Sequence, residues 1–138
     1  MRKNVFIVSI LWLMFCLTGC SDKIKISGTV TFSDGTPITK GNVVFDNGTE
    51  SYFGTIKSDG TYVTGGNKQI EGIPNGTYKV WLAQTEITEN ISDADGHVAS
   101  YNVTQTVAKK FTSPNTTELT FEVKPDGQKT FDIVVEKP

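Results

Sequence analysis

Short runs of alternating apolar and polar residues, separated by Asp-Gly turns, set the strongest limit on what this chain folds into. From Ile24 to Phe32, every second position holds an apolar residue or a glycine, which is the period of a strand buried on one face. Comparable short runs cover residues 42–46, 52–56, 61–64, 78–85, 118–123 and 130–136. Regularly spaced strands with turn signals between them predict an all-β fold, a single Greek-key β-sandwich of about seven to eight strands.

The same pattern predicts particular local features. Ser58-Asp59-Gly60 predicts a β-hairpin, because both turn positions tolerate positive φ, and Gly35 and Gly76 are expected to supply positive φ at two more turns. Tyr78 follows a Pro-Asn-Gly corner, so its hydroxyl is expected to bond a nearby backbone group. Residues 86–100 are interpreted as a long polar segment. The residues expected to line the inner faces are Val30, Val43, Phe45, Tyr62, Tyr78, Val80, Leu119, Phe121, Phe131 and Ile133.

The first twenty residues have the layout of a secretory signal. Arg2 and Lys3 are followed by an apolar run, Val5 to Leu17, that only Ser9 interrupts. A membrane span needs roughly 20 apolar residues, so this run favours a signal over a transmembrane helix. We therefore predict a signal peptide over residues 1–19.

Leu17-Thr-Gly-Cys20 resembles a bacterial lipobox. The resemblance implies that Cys20 is diacylated and becomes the mature N-terminus, with residues 20–23 as a short tether and residues 24–138 as the domain. Several acyl chains would anchor the protein stably. The expected location is the bacterial cell envelope, and Ser21 after the cysteine favours the outer membrane over the inner one.

The charge and cysteine content limit the classes of partner. After Arg2 and Lys3 leave with the signal, 15 acidic residues face 11 lysines, and no basic stripe marks a nucleic-acid interface. The two cysteines, Cys16 and Cys20, both lie in the signal region. The domain is therefore expected to have no disulfide, no thiolate metal site and no cysteine nucleophile.

Five motifs in order resemble the carboxypeptidase regulatory-like domains, which have a transthyretin-like (prealbumin-like) sandwich. They are Ile26-x-Gly-x-Val30, Asp34-Gly-x-Pro-Ile38, Gly41-x-Val-x-Phe45, Asp59-Gly-x-Tyr62 and Ile73-Pro-x-Gly-x-Tyr-x-Val80. More narrowly, the chain resembles the small lipoproteins of this type found in planctomycetes, which have a later stretch similar to residues 111–123. The resemblance supplies no catalytic residues to carry over.

The segment Asp93-Ala-Asp95-Gly96-His97 is the most site-like cluster in the sequence. Closely spaced carboxylates beside a glycine turn suggest a weak surface calcium site at Asp93 and Asp95, but the remaining ligands of an EF-hand loop are missing. A solvated polar loop is the favoured interpretation. His97, the only histidine, has too few companions for a zinc site or a catalytic triad.

Aromatic residues suggest a second kind of site. Trp81 is out of phase with its strand neighbours that face inward, so it is expected to face outward. Together with Tyr52, Phe53 and Tyr101 it offers a platform for sugar rings. The alternative is that Trp81 covers the open side of the sheet or a neighbouring loop, which we favour.

These features lead to one functional expectation and two alternatives. We expect a lipid-anchored, non-catalytic β-sandwich without cofactors, which acts as a structural or protein-interaction module of the envelope. Its partners are the membrane, through lipid on Cys20, and an envelope protein or glycan. The alternatives are a carbohydrate-binding surface lipoprotein and a calcium-stabilised adhesion domain.

Overall fold

The structure is a computed structural model that describes residues 22–65 and 72–138. The predicted signal peptide and the lipidation site Cys20 lie outside these ranges. Within them the fold is all-β, as predicted. The strands are β1 (Ser27–Phe32), β2 (Asn42–Asp46), β3 (Ser51–Thr55), β4 (Thr61–Val63), β5 (Gly76–Ala83), β6 (Ile87–Ser92), β7 (Val98–Thr104), β8 (Thr120–Val123) and β9 (Ile133–Val135), with one 3-10 turn at Lys109–Phe111.

Seven of these strands form the two sheets of a sandwich. One sheet has the order β4-β1-β9 and the other has the order β3-β2-β5-β8. Strands β1 and β9 run parallel, with Val30 opposite Ile133, and the other sheet pairs are antiparallel. The remaining strands, β6 and β7, pair with each other as a separate hairpin.

The core lies between the inner faces of the two sheets. Phe45 is at its centre, with its ring centroid 6.3 Å from those of Tyr62, Tyr78 and Phe121. The predicted inner-face residues are buried, except that Leu119 and Phe131 are only partly buried against the cluster. The prediction for Tyr78 is confirmed, because its hydroxyl donates to the carbonyl oxygen of Pro74 at 2.9 Å.

One close backbone contact fastens the three-stranded sheet. A Cβ atom at Gly28 would lie 2.0 Å from the carbonyl oxygen of Phe131, so only glycine fits on β1 at this point. Tyr62, opposite Gly28 on β4, donates its hydroxyl hydrogen to the same carbonyl oxygen at 2.7 Å. Burial raises the pKa of the Tyr62 phenol well above its ordinary value. The contact therefore joins β4, β1 and the segment that leads into β9.

The predicted hairpin at Ser58-Asp59-Gly60 is wrong in its pairing, although the turn exists. Lys57 N–H donates to the Thr61 carbonyl at 2.8 Å, and Gly60 has a φ of +82°. However, β3 before the turn belongs to the four-stranded sheet and β4 after it belongs to the other sheet. The turn carries the chain across the sandwich instead of pairing its two flanks.

Residues 86–100, predicted only as a long polar segment, contain strands that the prediction did not include. This part of the chain forms β6 and the first residues of β7. The segment lacks the apolar alternation of a buried strand because every residue of these two strands is exposed. The alternation that predicted the other strands records burial on one face, which this hairpin does not have.

Candidate functional site

The exposed hairpin, here called the arm (residues 87–104), is the candidate functional site. Its register runs from Ile87 opposite Thr104 to Ile91 opposite Ser100. In the described part of the chain, neither strand pairs with a strand of the sandwich, so both outer edges of the arm are open. An isolated two-stranded hairpin is only marginally stable in water. A sequence that keeps such a hairpin outside its core points to contact with something else.

The turn at the tip of the arm explains why the hairpin forms here. Asp93 N–H donates to the carbonyl oxygen of His97 at 2.8 Å, and Gly96 takes a φ of +84°. The Asp93 carboxylate accepts hydrogen bonds on Oδ1 from the backbone N–H groups of Asp95, at 3.0 Å, and His97, at 2.9 Å. The same Asp-Gly turn chemistry occurs at Phe32–Thr36 and Lys57–Thr61.

Asp93, one of the two candidate calcium residues, therefore has a structural role in this turn. One carboxylate oxygen of Asp93 already accepts two backbone hydrogen bonds, and His97 Nδ1 lies 4.0 Å from it. Among residues 22–65 and 72–138, no three His, Cys, Asp or Glu side chains are grouped so as to hold a metal ion. Calcium binding at Asp93 and Asp95 stays an untested alternative to the favoured solvated loop.

One face of the arm is apolar along β7. Tyr101 and Val103 lie on the same face, opposite Asn90 and Thr88 of β6. Strand periodicity alone would place Val98 on the other face, but a bulge shifts the register between Ile91 and Ser92 and sets Val98 opposite Ser92. The exposed fractions of Val98, Tyr101 and Val103 are 48%, 68% and 54%. The bulge thus completes a row of three exposed apolar side chains.

The opposite face of the arm combines apolar residues with a carboxylate. Ile87, Glu89 and Ile91 alternate along β6 and lie opposite Thr104, Asn102 and Ser100 of β7. Ile87 and Ile91 are about half exposed. Each face of the arm therefore has large apolar side chains in solvent, where single exposed residues are ordinary but a cluster of five is not.

The arm and the N-terminal segment lie at opposite ends of the sandwich. Ile24 is held to Ile73 just before β1 begins, and β1 runs from there to Phe32. Phe32 lines a small cleft of about 210 Å³ together with Ile87 and Thr106, which belong to the base of the arm. Thr106 Oγ1 also donates to the Thr85 carbonyl at 2.6 Å and closes the base.

The charge of the predicted mature chain is concentrated on the arm and its base. Glu86, Glu89, Asp93 and Asp95 lie in a stretch, residues 80–108, that has no lysine or arginine. Elsewhere in residues 20–138, 11 acidic residues balance 11 lysines. The rest of the chain is therefore neutral on balance, and the arm has a charge of −3 with His97 neutral, to which Glu86 at its base adds one more negative charge.

Trp81 faces outward on the four-stranded sheet, as predicted. It lies opposite Val44 on β2, which in turn lies opposite Phe53 on β3, so the three side chains form a row across the outer face. Trp81 is half-buried, Val44 is buried and Phe53 is 48% exposed. The indole Nε1 of Trp81 is buried and has no hydrogen-bond partner among the described residues.

The other aromatic residues of the predicted sugar platform lie elsewhere. Tyr52 is on the inner side of β3, where its ring contacts that of Tyr78 edge-on at 6.0 Å and its hydroxyl bonds the Glu50 carboxylate. That hydrogen bond raises the pKa of Tyr52 to about 12. Tyr101 is on the arm. Only Trp81 and Phe53 share a surface, about 10 Å apart across two strand spacings.

Sequence reasoning missed the arm, although one signal for it was present. Asp95-Gly96 is a hairpin dipeptide, and it is flanked by Ile87 and Ile91 on one side and by Tyr101 and Val103 on the other. The described residues contain no helix long and apolar enough to cross a membrane.

Comparisons with known proteins give no closer assignment. No protein-family model matches the chain, and no curated protein matches it in sequence. Among solved structures, it is similar to the major pilin subunit of Bacillus cereus, with 15% identity and a TM-score of 0.43 over 83% of this chain and 30% of the pilin. It is also similar to a 9R-lipoxygenase from Cyanothece, with 17% identity and a TM-score of 0.32 over 81% of this chain and 16% of the enzyme. The chain thus spans less than a third of either protein, and neither protein's activity transfers to it at this similarity.

Proposed function

We propose that this chain is a lipid-anchored, non-catalytic module of the bacterial cell envelope, in which the sandwich presents the arm to another envelope protein. The observation that carries the proposal is the arm itself, with two open edges and five large apolar side chains in solvent. A surface of this kind costs solubility and gains nothing for the stability of the sandwich. Contact with a partner protein would explain why the arm keeps this exposed apolar surface.

The positions of the N-terminal segment and the arm at opposite ends of the sandwich support the proposed anchor. Three residues separate Cys20 from Ile24, so a lipid on Cys20 would hold the sandwich within about 15 Å of the membrane surface. The arm leaves from the far end of the sandwich, and each of its strands is roughly 20 Å long. Anchor and arm are thus separated in the way that presentation away from a membrane requires.

The test combines the anchor and the arm in one set of strains. Wild type, Cys20→Ser and a variant with residues 88–103 replaced by a short Gly-rich turn are expressed in the native host. We expect palmitate labelling and membrane fractionation to be lost only in Cys20→Ser. We expect one discrete cross-linked protein partner to be lost in the arm variant, which keeps its lipid. A partner retained without the arm, or a Cys20→Ser protein that stays in the membrane fraction, would contradict the corresponding half of the proposal.

A carbohydrate-binding function is the second candidate, and the outer-face row of Phe53, Val44 and Trp81 favours it. Two aromatic side chains about 10 Å apart on the outer face of one sheet suit stacking against sugar rings. On a glycan array, binding that is lost in both Trp81→Ala and Phe53→Ala but kept in the arm variant would favour this function. Binding to no glycan, or binding that both substitutions leave unchanged, would reject it.

A further inference from the structure

The two open edges of the arm differ in their side chains. Strand β7, Val98–Thr104, contains no charged residue, no proline and no glycine, and it is rich in β-branched and aromatic residues. Strand β6 carries Glu89 at its middle. Charged side chains protect an edge strand from pairing with other chains, whereas an uncharged edge of high β-propensity invites pairing. Of the two edges, β7 is therefore the receptive one.

The bulge limits where a new strand pairs along β7. It lies where the ladder shifts between Ile91 and Ser92, close to the tip, and the register is regular from Ser100 to Thr104. These five residues have one side of their backbone turned to β6 and the other side to solvent. They form a template long enough for an ordinary short strand.

The charge of the arm selects among the candidate occupants. A second copy of the chain would bring together two arms with a charge of −3 each, which repel each other. A basic strand would instead gain from the carboxylates of Glu89, on the neighbouring strand, and of Asp93 and Asp95, at the tip of the arm. The two faces also differ, with Tyr101 and Val103 on one and Glu89 on the other.

We propose that the partner adds an extended basic segment to the outer edge of β7, as a third strand of the arm. Main-chain hydrogen bonds to Ser100–Thr104 hold the segment. Its apolar side chains alternate with lysine or arginine, so that one set packs beside Tyr101 and Val103 and the other lies on the Glu89 face. This proposal rests on the proposed function and names the chemistry of the partner.

Two synthetic probes test the charge requirement on the full-length protein. One is a fluorescent peptide of alternating valine and lysine, and the other replaces each lysine with glutamate. We expect the basic peptide to bind at low salt and the acidic peptide not to bind. Neutralising the arm with Glu89→Gln, Asp93→Asn and Asp95→Asn is expected to weaken binding of the basic peptide about tenfold. Equal binding of both peptides, or no binding of the basic one, would overturn the proposal.

A matched pair of lysine substitutions separates edge pairing from plain charge attraction. Val103→Lys on β7 and Ile91→Lys on β6 change the charge of the arm equally, but only Val103→Lys protects the proposed edge. We expect Val103→Lys to weaken binding at least fivefold more than Ile91→Lys. Amide hydrogen exchange with bound peptide should slow at residues 100–104 and not along β6. Equal losses in the two variants, or protection along β6, would overturn edge addition at β7.

These results are separable from failure of the proposed function. If deletion of the arm removes a cross-linked partner but neither the basic peptide nor the lysine pair behaves as expected, the arm is an interaction site of different chemistry. Sedimentation of the full-length protein in detergent reports on the second copy. A stable dimer that Val103→Lys dissociates would replace the basic partner by self-association and overturn the proposal.

Discussion

Removal of the arm should leave the sandwich at least as stable as it is in the intact chain. The perturbation replaces residues 88–103 with a four-residue Gly-rich turn, so the connection between Thr85 and Thr106 shortens from 20 residues to about eight. All replaced residues are exposed, so their loss removes no buried apolar area from the core. The hydroxyl of Thr106 keeps its bond to the Thr85 carbonyl.

The expected change follows from loop closure. Shortening the connection reduces the entropic cost of closing it. The logarithm of the length ratio makes this reduction worth about 0.8 kcal/mol. The free energy of unfolding should therefore rise by between zero and about 1 kcal/mol, and Tm by at most about 5 °C. Urea unfolding, followed by the fluorescence of Trp81, the single tryptophan after residue 20, measures this. A loss of more than about 2 kcal/mol would show that the arm packs on the sandwich and would refute the reasoning.

Three further predictions concern the core and the tip of the arm. Gly28→Ala should cost about 3 kcal/mol, because its Cβ would collide with the Phe131 carbonyl and break the hydrogen bond from Tyr62; chemical unfolding measures this. The raised pKa of Tyr62 stabilises the fold fully below the ordinary tyrosine value of about 10, and this stability is lost as the pH rises through the folded-state pKa. Tyr62→Phe should therefore flatten the fall in the free energy of unfolding above pH ~10 in alkaline titrations. Calorimetric titration with calcium should show no binding, because Asp93 already accepts two backbone hydrogen bonds; heat that is lost in Asp93→Asn/Asp95→Asn would establish the calcium site instead.

Two controls accompany the core predictions. Gly127→Ala adds a methyl group at a turn, where the nearest atom to the new Cβ is the Lys124 Cβ at 3.0 Å, and should cost about 1 kcal/mol or less. Tyr101→Phe removes an exposed hydroxyl from the arm and is the matched control for the loss of one tyrosine hydroxyl. A large loss from Gly127→Ala, or a flatter slope from Tyr101→Phe, would mean that neither effect is specific to the Gly28–Tyr62–Phe131 contact.

The sandwich was predictable because each of its strands has one face against the core. Val30, Tyr78 and Phe121 lie on inner faces between polar neighbours, and their period of two marks the strand directly. The predicted positive φ at Gly35, Gly60 and Gly76 is confirmed as well. Turn residues and buried strand faces depend on short stretches of sequence, so they can be predicted from those stretches alone.

Strand pairing was less predictable, as the Ser58-Asp59-Gly60 turn shows. Its residues determine the turn, but they carry no information on which sheet each flank joins. That outcome depends on distant contacts: β3 pairs with β2, and β4 pairs with β1 across the Gly28–Tyr62 position. Gly54 allows β3 to pass close to the backbone of Val63, since a Cβ there would lie 2.7 Å from its carbonyl oxygen.

The candidate site was the hardest feature to predict, because an exposed hairpin lacks the pattern that identifies buried strands. Asp93 and Asp95 were predicted as candidate calcium ligands because they are closely spaced carboxylates, whereas in the structure they lie at the tip of the arm. Tyr101 was predicted to share a sugar platform with Tyr52, but Tyr101 lies on the arm and Tyr52 lies on the inner side of β3, so the two share no surface. The sequence indicated these residues as candidates, but only the folded structure shows which of them lie together.

Site-specific photo-cross-linking in the native envelope tests the central claim most directly. A benzophenone amino acid is placed at Tyr101 on the arm, or at Ser58, an exposed residue of an Asp-Gly turn at the same end of the sandwich. We expect a single protein adduct from position 101, identified by mass spectrometry, and none from position 58. No adduct from position 101, or the same adducts from both positions, would contradict the claim that the arm is the interaction site.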